Sequence, residues 1–202
     1  MADFIKYIPK LEAAEGGWSD HPNDTPTNRG ITISTFKKYG RDLNNDGIID
    51  KEDLKQLKRD LALNIYKEQY WDRIKGDSIV NQSVAETFMD MAVNAGISRA
   101  TILLQQELNE QGHSLKVDGA FGPKTLAAIN HSSTNQNQLF NDYNESRENF
   151  YQTLADNNSK YIPFLKGWLN RVAMFGRKTV EEAVYVAKNI TPTVGIDGKK
   201  KV

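Results

Sequence analysis

The stretch that decides the fold is Glu15-Gly16-Gly17-Trp18-Ser19-Asp20-His21-Pro22-Asn23-Asp24, continued by Thr25-Pro26-Thr27-Asn28-Arg29-Gly30-Ile31-Thr32. Ahead of it, Phe4, Ile8 and Leu11, with Tyr7 and Ala14 beside them, recur at helical spacing. Pro9 either kinks that helix or lies near its start, and Gly16-Gly17 end it. From Trp18 to about Gly30 the chain is rich in Asp, Asn, Pro and Thr and has no helical period. Beyond it Ser34 reads as the N-cap of a short helix through Lys38. Few runs anywhere alternate with period two. The expected class is therefore mainly α, with at most a small β-hairpin placed between Trp18 and Thr32.

Working outward, helical stripes recur along the chain. Leu54, Leu57, Leu61 and Ile65 run toward Tyr70 and Trp71, and Val84, Phe88, Met91 and Ala95 are ended by Gly96. Ser98 opens a helix carrying Ile102, Leu103 and Leu108, and Gly119 to Pro123 reads as a turn with Pro123 at a first helical position. Leu139, Tyr143, Phe150 and Leu154 mark a long helix, Phe164 to Phe175 another, and Val180, Val184 and Ala187 the last. Ser132–Asn137 and Asp156–Ser159 read as exposed loops, and the closing GIDGKKKV as a polar end.

Composition excludes several classes. Lysine plus arginine and aspartate plus glutamate each total 26 of 202 residues, so the chain lacks the net basic charge of a phosphate-gripping nucleic-acid binder. The absence of cysteine removes disulfides, thiol nucleophiles and thiolate metal sites. No apolar run is long enough to span a bilayer. The first residues, MADFIKYIPKLEAAEGG, lack a secretory signal's basic and apolar regions, so synthesis is expected in the cytoplasm. His21, His113 and His131 are scattered without metal-ligand spacing.

The candidate chemistry begins at Glu15. A carboxylate at a helix C-terminus meets the negative end of the helix dipole, which favours its protonated form. A protonated carboxyl near neutral pH is what a general acid requires. The glycines that follow allow a sharp turn and close approach of a bulky ligand. Asp24 supplies a second carboxylate, and Thr25, Thr27, Asn28 and Thr32 supply hydroxyl and amide groups. Two carboxylates flanking a cleft are the minimum set for glycoside hydrolysis. Taken alone, a Glu before Gly-Gly is more often a solvated residue at a helix end than a catalytic acid.

Asp42-Leu43-Asn44-Asn45-Asp46-Gly47-Ile48-Ile49-Asp50-Lys51-Glu52-Asp53 reads as an EF-hand-type calcium loop. Asp42, Asn44, Asp46, Asp50 and Asp53 put oxygens at loop positions 1, 3, 5, 9 and 12, Ile48 offers its carbonyl at position 7, and Gly47 occupies the sharp turn. Asp53 stands where a bidentate Glu is usual, a variation similar to dockerin loops. The expected ion is Ca2+ in a structural role; the alternative is a metal-free polar turn.

Several motifs together resemble glycoside hydrolase family 108, the N-acetylmuramidases with a lysozyme-like helical fold. The opening Glu15-Gly-Gly-Trp-Ser-Asp-His-Pro-Asn-Asp24 with Thr27-Asn-Arg-Gly-Ile-Thr32 is similar to that family's signature. Tyr66 with Tyr70-Trp71 resembles its Tyr-x-x-Tyr-Trp element, and Phe88 to Gly96 its Asp-x-Ala-x-Asn-x-Gly helix. Val117 to Leu126 and Lys166 to Arg171 resemble the peptidoglycan-binding-like half that usually follows. One departure is that Asp24-Thr-Pro-Thr27 is two residues shorter than the family's usual loop and lacks its glycines.

The resemblance implies a lysozyme-like catalytic half over 1–96 and a peptidoglycan-binding-like half over 97–191, packed as one unit, with 192–202 a tail. It implies cleavage of the β-1,4 link between N-acetylmuramic acid and N-acetylglucosamine, with Glu15 as general acid. Asp24 and Thr27 would stabilise the cationic transition state or orient water. Trp18, Thr32, Tyr70, Trp71 and Asn94 are the candidate sugar contacts; for Tyr70, Trp71 and the Asp90–Asn94 pair, core packing is an equal reading. The implied partner is the peptidoglycan glycan strand, met by a monomer at the cell wall after holin-like or unconventional export. A non-catalytic wall binder and a lytic transglycosylase using the same Glu remain the alternatives.

Overall fold

The computed structural model describes residues 1–20, 25–131 and 133–176. Helix α1 (Phe4–Ala14) starts where the Asp3 carboxylate accepts the Ile5 N–H at 2.9 Å, and it buries Phe4, Tyr7 and Leu11. Pro9 lies inside it. The carbonyl that Pro9 leaves without an amide belongs to Ile5, which is 71% exposed, so water can take the missing bond.

The expected hairpin forms as β1 (Thr27–Asn28) and β2 (Ile31–Thr32), antiparallel, with Thr27 opposite Thr32 and Asn28 opposite Ile31. Ser19 adds a bridge to Thr27. Helix α2 (Ile33–Tyr39) follows at once, and its N-cap is Thr32, not Ser34: Thr32 is extended, and its Oγ1 accepts the Thr35 N–H at 3.2 Å.

The apolar stripe from Leu54 is divided between α3 (Lys51–Lys55) and α4 (Arg59–Tyr66), because Lys58 is extended between them. The chain then widens into a π-type turn over Lys67–Trp71 and tightens into a 3-10 turn at Gly76–Ser78. Helix α5 (Gln82–Ala95) is buried without interruption from Val84 to Ala92. Gly96, at φ +87°, reverses the chain into α6 (Ile97–Glu110), and α7 (Pro123–Ile129) and α8 (Gln136–Asn157) follow. Segments expected as loops at 132–137 and 156–159 are shortened by the two ends of α8.

Packing divides the chain into Met1–Arg147 and Glu148–Val202. In the first unit, Phe88 of α5 meets the rings of Phe121 and Tyr143 at 5.2 and 6.2 Å, and the Tyr143 hydroxyl donates to the Ala100 carbonyl at 3.1 Å. The segment after residue 96 is thereby packed on the helix before it. In the second unit, Tyr151 stacks on Trp168 of α9 (Ile162–Ala173) at 5.1 Å, with Phe164 against the same indole. The expected last helix around Val180 to Ala187 and the tail from 192 lie outside the described residues. No helix among the described residues is long and apolar enough to cross a membrane.

Candidate active site

Glu15 caps the C-terminus of α1: its N–H donates to the Leu11 carbonyl at 3.0 Å, and its own backbone is already extended. The side chain is half-buried. Gly16 and Gly17 follow with no atom within 4 Å of where a Cβ would be, so these glycines leave open space rather than relieve a packing clash.

What closes on the carboxyl is the hairpin turn. Arg29 and Gly30 both have positive φ, +51° and +71°, the type I′ geometry that matches a two-residue hairpin loop. A Cβ at Gly30 would lie 1.8 Å from Glu15 Oε2 and 2.5 Å from the Tyr66 hydroxyl oxygen. The missing side chain therefore makes the place that the Glu15 carboxyl occupies, beside Tyr66.

The turn is fixed from several sides. Buried Asn28 donates through Nδ2 to the Leu54 and Lys55 carbonyls at 2.8 and 3.2 Å. Arg29 Nε donates to the Leu57 carbonyl at 3.3 Å, and the Tyr66 hydroxyl donates to the Arg29 carbonyl at 3.1 Å. Ser19 and Thr27 exchange backbone bonds at 2.8 and 2.9 Å.

A cavity of about 180 Å³ opens beside the carboxyl, lined among others by Glu15, Gly16, Arg29, Arg59 and Tyr66. Arg59 holds Glu12 at its rim by two bonds, Nε–Oε1 at 2.5 Å and a terminal nitrogen to Oε2 at 3.1 Å, and this pairing keeps Glu12 below the usual carboxylate range. Tyr70 is half-buried, and its ring lies 6.1 Å from that of Tyr66. Burial first, then the neighbouring Tyr39 and Glu15, push its phenol up, and Arg73 opposes them.

The other candidates separate. Trp18 is 38% exposed, with the Lys55 ammonium 5.5 Å from its ring, so a face remains for a ligand. Thr27 lies in β1 and Thr32 serves the α2 cap. Trp71 has no exposed surface: it stacks on Tyr7 at 6.4 Å and donates to Asp77 at 2.7 Å. Its expected role as a sugar platform is therefore withdrawn. Tyr70 and Trp71 are adjacent on one turn and point to different sides, whereas Tyr66 and Tyr70 share a face.

Asn94 is exposed on the last turn of α5. Asp90, one turn earlier, is in the core, bonded to Arg147 and receiving the Tyr7 hydroxyl at 3.2 Å. Asp24 lies outside the described residues. Gly30, Arg29 and Tyr66 are the site residues that pattern reading missed; for Tyr66 the signal was its spacing from Tyr70.

In the Asp42–Asp53 loop, Gly47 has φ +86°, as the turn requires. Asp42 accepts the Asn45 and Gly47 amides at 2.6 and 2.8 Å, Asn44 that of Asp46 at 3.0 Å, and Asp46 that of Ile48 at 2.8 Å. Asp53, fully buried, accepts the amides of Leu43, Asn44 and Asp50 at 2.7, 3.1 and 2.9 Å. The bonds from Asp50, Leu43 and Asn44 hold its carboxyl below the ordinary aspartate value. Glycine and amide pattern fit a calcium loop, but an ion would compete with amides for Asp53. Among the described residues no three acidic, His or Cys side chains converge as they do around a metal.

The turn at Asp118–Pro123 is held by Gln105, which accepts the Asp118 and Gly119 amides at 3.1 and 3.0 Å and donates to the Ala120 carbonyl at 3.2 Å. Gly119 is required there: a Cβ would meet Ser98 Oγ at 2.4 Å.

A mainly helical chain with one two-stranded hairpin folded over a helix-end Glu defines a protein of the lysozyme-like class. The comparisons make this specific. Residues 8–96 match the family described as glycosyl hydrolase 108, and residues 99–173 match a predicted peptidoglycan domain. The two matches follow one another along the chain and support a peptidoglycan hydrolase or binder, with peptidoglycan as the partner they point to.

It is similar to SagA of Brucella abortus in a solved structure, with 28% identity, 92% of this chain and 95% of that chain covered, and a TM-score of 0.67. No match was found among curated proteins.

Proposed function

We propose that the protein is an N-acetylmuramidase that hydrolyses the β-1,4 link between N-acetylmuramic acid and N-acetylglucosamine, with Glu15 as general acid. The observation that carries this reading is the Glu15 carboxyl lodged against Gly30 at the edge of an open cavity. Glu15 gives its proton to the glycosidic oxygen as the bond to the anomeric carbon breaks, and charge develops on the ring. Asp24 offsets that charge or, with Thr27, orients the attacking water. Trp18 and Tyr70 supply ring faces for the sugars.

Glu15→Gln is the test. Clearing of purified peptidoglycan is expected to fall by about 100-fold or more, with the melting temperature nearly unchanged. Unaltered clearing would remove Glu15 as the acid, and a wild type that binds peptidoglycan without clearing it would be a wall-binding protein. Mass spectrometry of released fragments separates the remaining reading, because an anhydro-sugar end marks a transglycosylase.

We also propose that Ca2+ binds the Asp42–Asp53 loop as a structural clip, through Asp42, Asn44, Asp46, the Ile48 carbonyl, Asp50 and Asp53. A metal that binds only the folded state raises its stability by mass action. The melting temperature is expected to rise on adding calcium to chelator-treated protein and not on adding magnesium. An unchanged melting temperature overturns this assignment.

A further inference from the structure

Arg29 occupies a backbone position that disfavours it. At φ +51° in a type I′ turn, Asn or Gly is the residue that fits without strain, and Arg is held there by the Leu57 carbonyl on its Nε and the Tyr66 hydroxyl on its own carbonyl. Strain kept in place by several contacts is common at functional sites, and here the position borders the cavity that Glu15 lines.

The charges around that cavity sharpen the point. Its other cation, Arg59, is matched by Glu12 through two bonds. Arg29 has Nε on a backbone carbonyl and acts on Glu12 only through space, and among the described residues its terminal nitrogens form no hydrogen bond or salt bridge. Those two nitrogens form the planar fork that suits a carboxylate. The two sugars of peptidoglycan differ by the lactyl group of N-acetylmuramic acid and the peptide it bears, so carboxylates are carried on one sugar and not on the other.

We propose that Arg29 is a specificity-determining residue that receives a carboxylate from the muramic side of the glycan, so that the cavity beside Glu15 takes peptidoglycan in preference to an uncharged N-acetylglucosamine polymer. This rests on the muramidase reading for its substrate, but its test needs no turnover. In the Glu15→Gln background, calorimetry compares the peptide-free disaccharide, whose lactyl carboxylate is free, with its methyl ester, and the disaccharide-peptide with its esterified form. The free acid is expected to bind about 10- to 100-fold tighter in at least one pair. The pair that shows the difference names the lactyl or the peptide carboxylate as the source.

Arg29→Asn is expected to reduce that preference to about threefold or less while keeping or raising the melting temperature, since Asn suits the left-handed turn. Arg29→Lys is expected to retain part of the preference. A parent protein without preference, or a preference that survives Arg29→Asn, overturns the proposal. Full wall-clearing activity in Glu15→Gln would instead overturn the muramidase reading, and the binding comparison would stand apart from it.

Discussion

The Thr27–Thr32 hairpin and the Asp42–Asp53 loop each set a carboxylate in a backbone frame, and they do so in opposite ways. Asp53 is fully buried and accepts the amides of Leu43, Asn44 and Asp50. Glu15 is half-buried, faces the bare Cα of Gly30, and borders a cavity. Amides directed at a carboxylate stabilise its charged form and fix the surrounding chain. A glycine directed at a carboxyl gives it room and a position. The first arrangement makes a loop rigid, whereas the second keeps an acid beside space that a ligand can enter.

The difference breaks most sharply at Gly30. Gly30→Ala places a methyl group on Glu15 Oε2 and a side chain on a φ of +71°. Lytic activity is expected to fall by about 100-fold or more, the scale of a lost general acid. The left-handed backbone alone costs about 1–2 kcal/mol of stability. Turbidity clearing and a thermal melt measure both; retained clearing would show that Gly30 does not set the acid.

At the other carboxylate the expected loss is of stability. Asp53→Ala leaves the amides of Leu43, Asn44 and Asp50 without their acceptor, so thermal stability is expected to fall while clearing at low temperature persists. Because the folded Asp53 titrates below its ordinary value, its contribution is fully present above the unfolded value of about 3.9 and is lost as pH falls through the lower folded one. Asp118, held low chiefly by the Ala120 amide, behaves alike. Acid melts of wild type and Asp53→Ala are expected to converge toward low pH. Parallel curves would separate Asp53 from the acid limb.

The smallest effect belongs to Thr32, which ends the hairpin and caps α2. Thr32→Ala is expected to cost about 1 kcal/mol, or about 2–4 °C in melting temperature, with Thr32→Ser restoring it. A large loss of clearing with little change in melting would instead return Thr32 to the sugar contacts.

Much of this comparison was legible in the chain. Helix ends at Gly16 and Gly96, the hairpin's place and Gly47 in its loop follow from local rules about φ and capping. The capping residue was misplaced because Ser34 and Thr32 carry the same hydroxyl, and only the extended backbone at Thr32 distinguishes them. The sequence leaves Trp71 open between sugar contact and core, because an aromatic residue at a helix end reads alike whether it faces the core or solvent. Tyr7 stacked on its ring makes that choice.

By itself the sequence determined the helical class, the glycines at the turns, the balance of charge and the candidate acid, since periodicity, backbone freedom and side-chain chemistry are local properties. Tertiary structure alone decided that Gly30 faces Glu15, that Tyr66 is on the acid's side and Trp71 is not, that Arg29 borders the cavity, and that Asp90 belongs to a core ion pair with Arg147. These depend on contacts between residues far apart in the chain. No local pattern carries them, because the same side chain can meet any of several surfaces until the helices have packed.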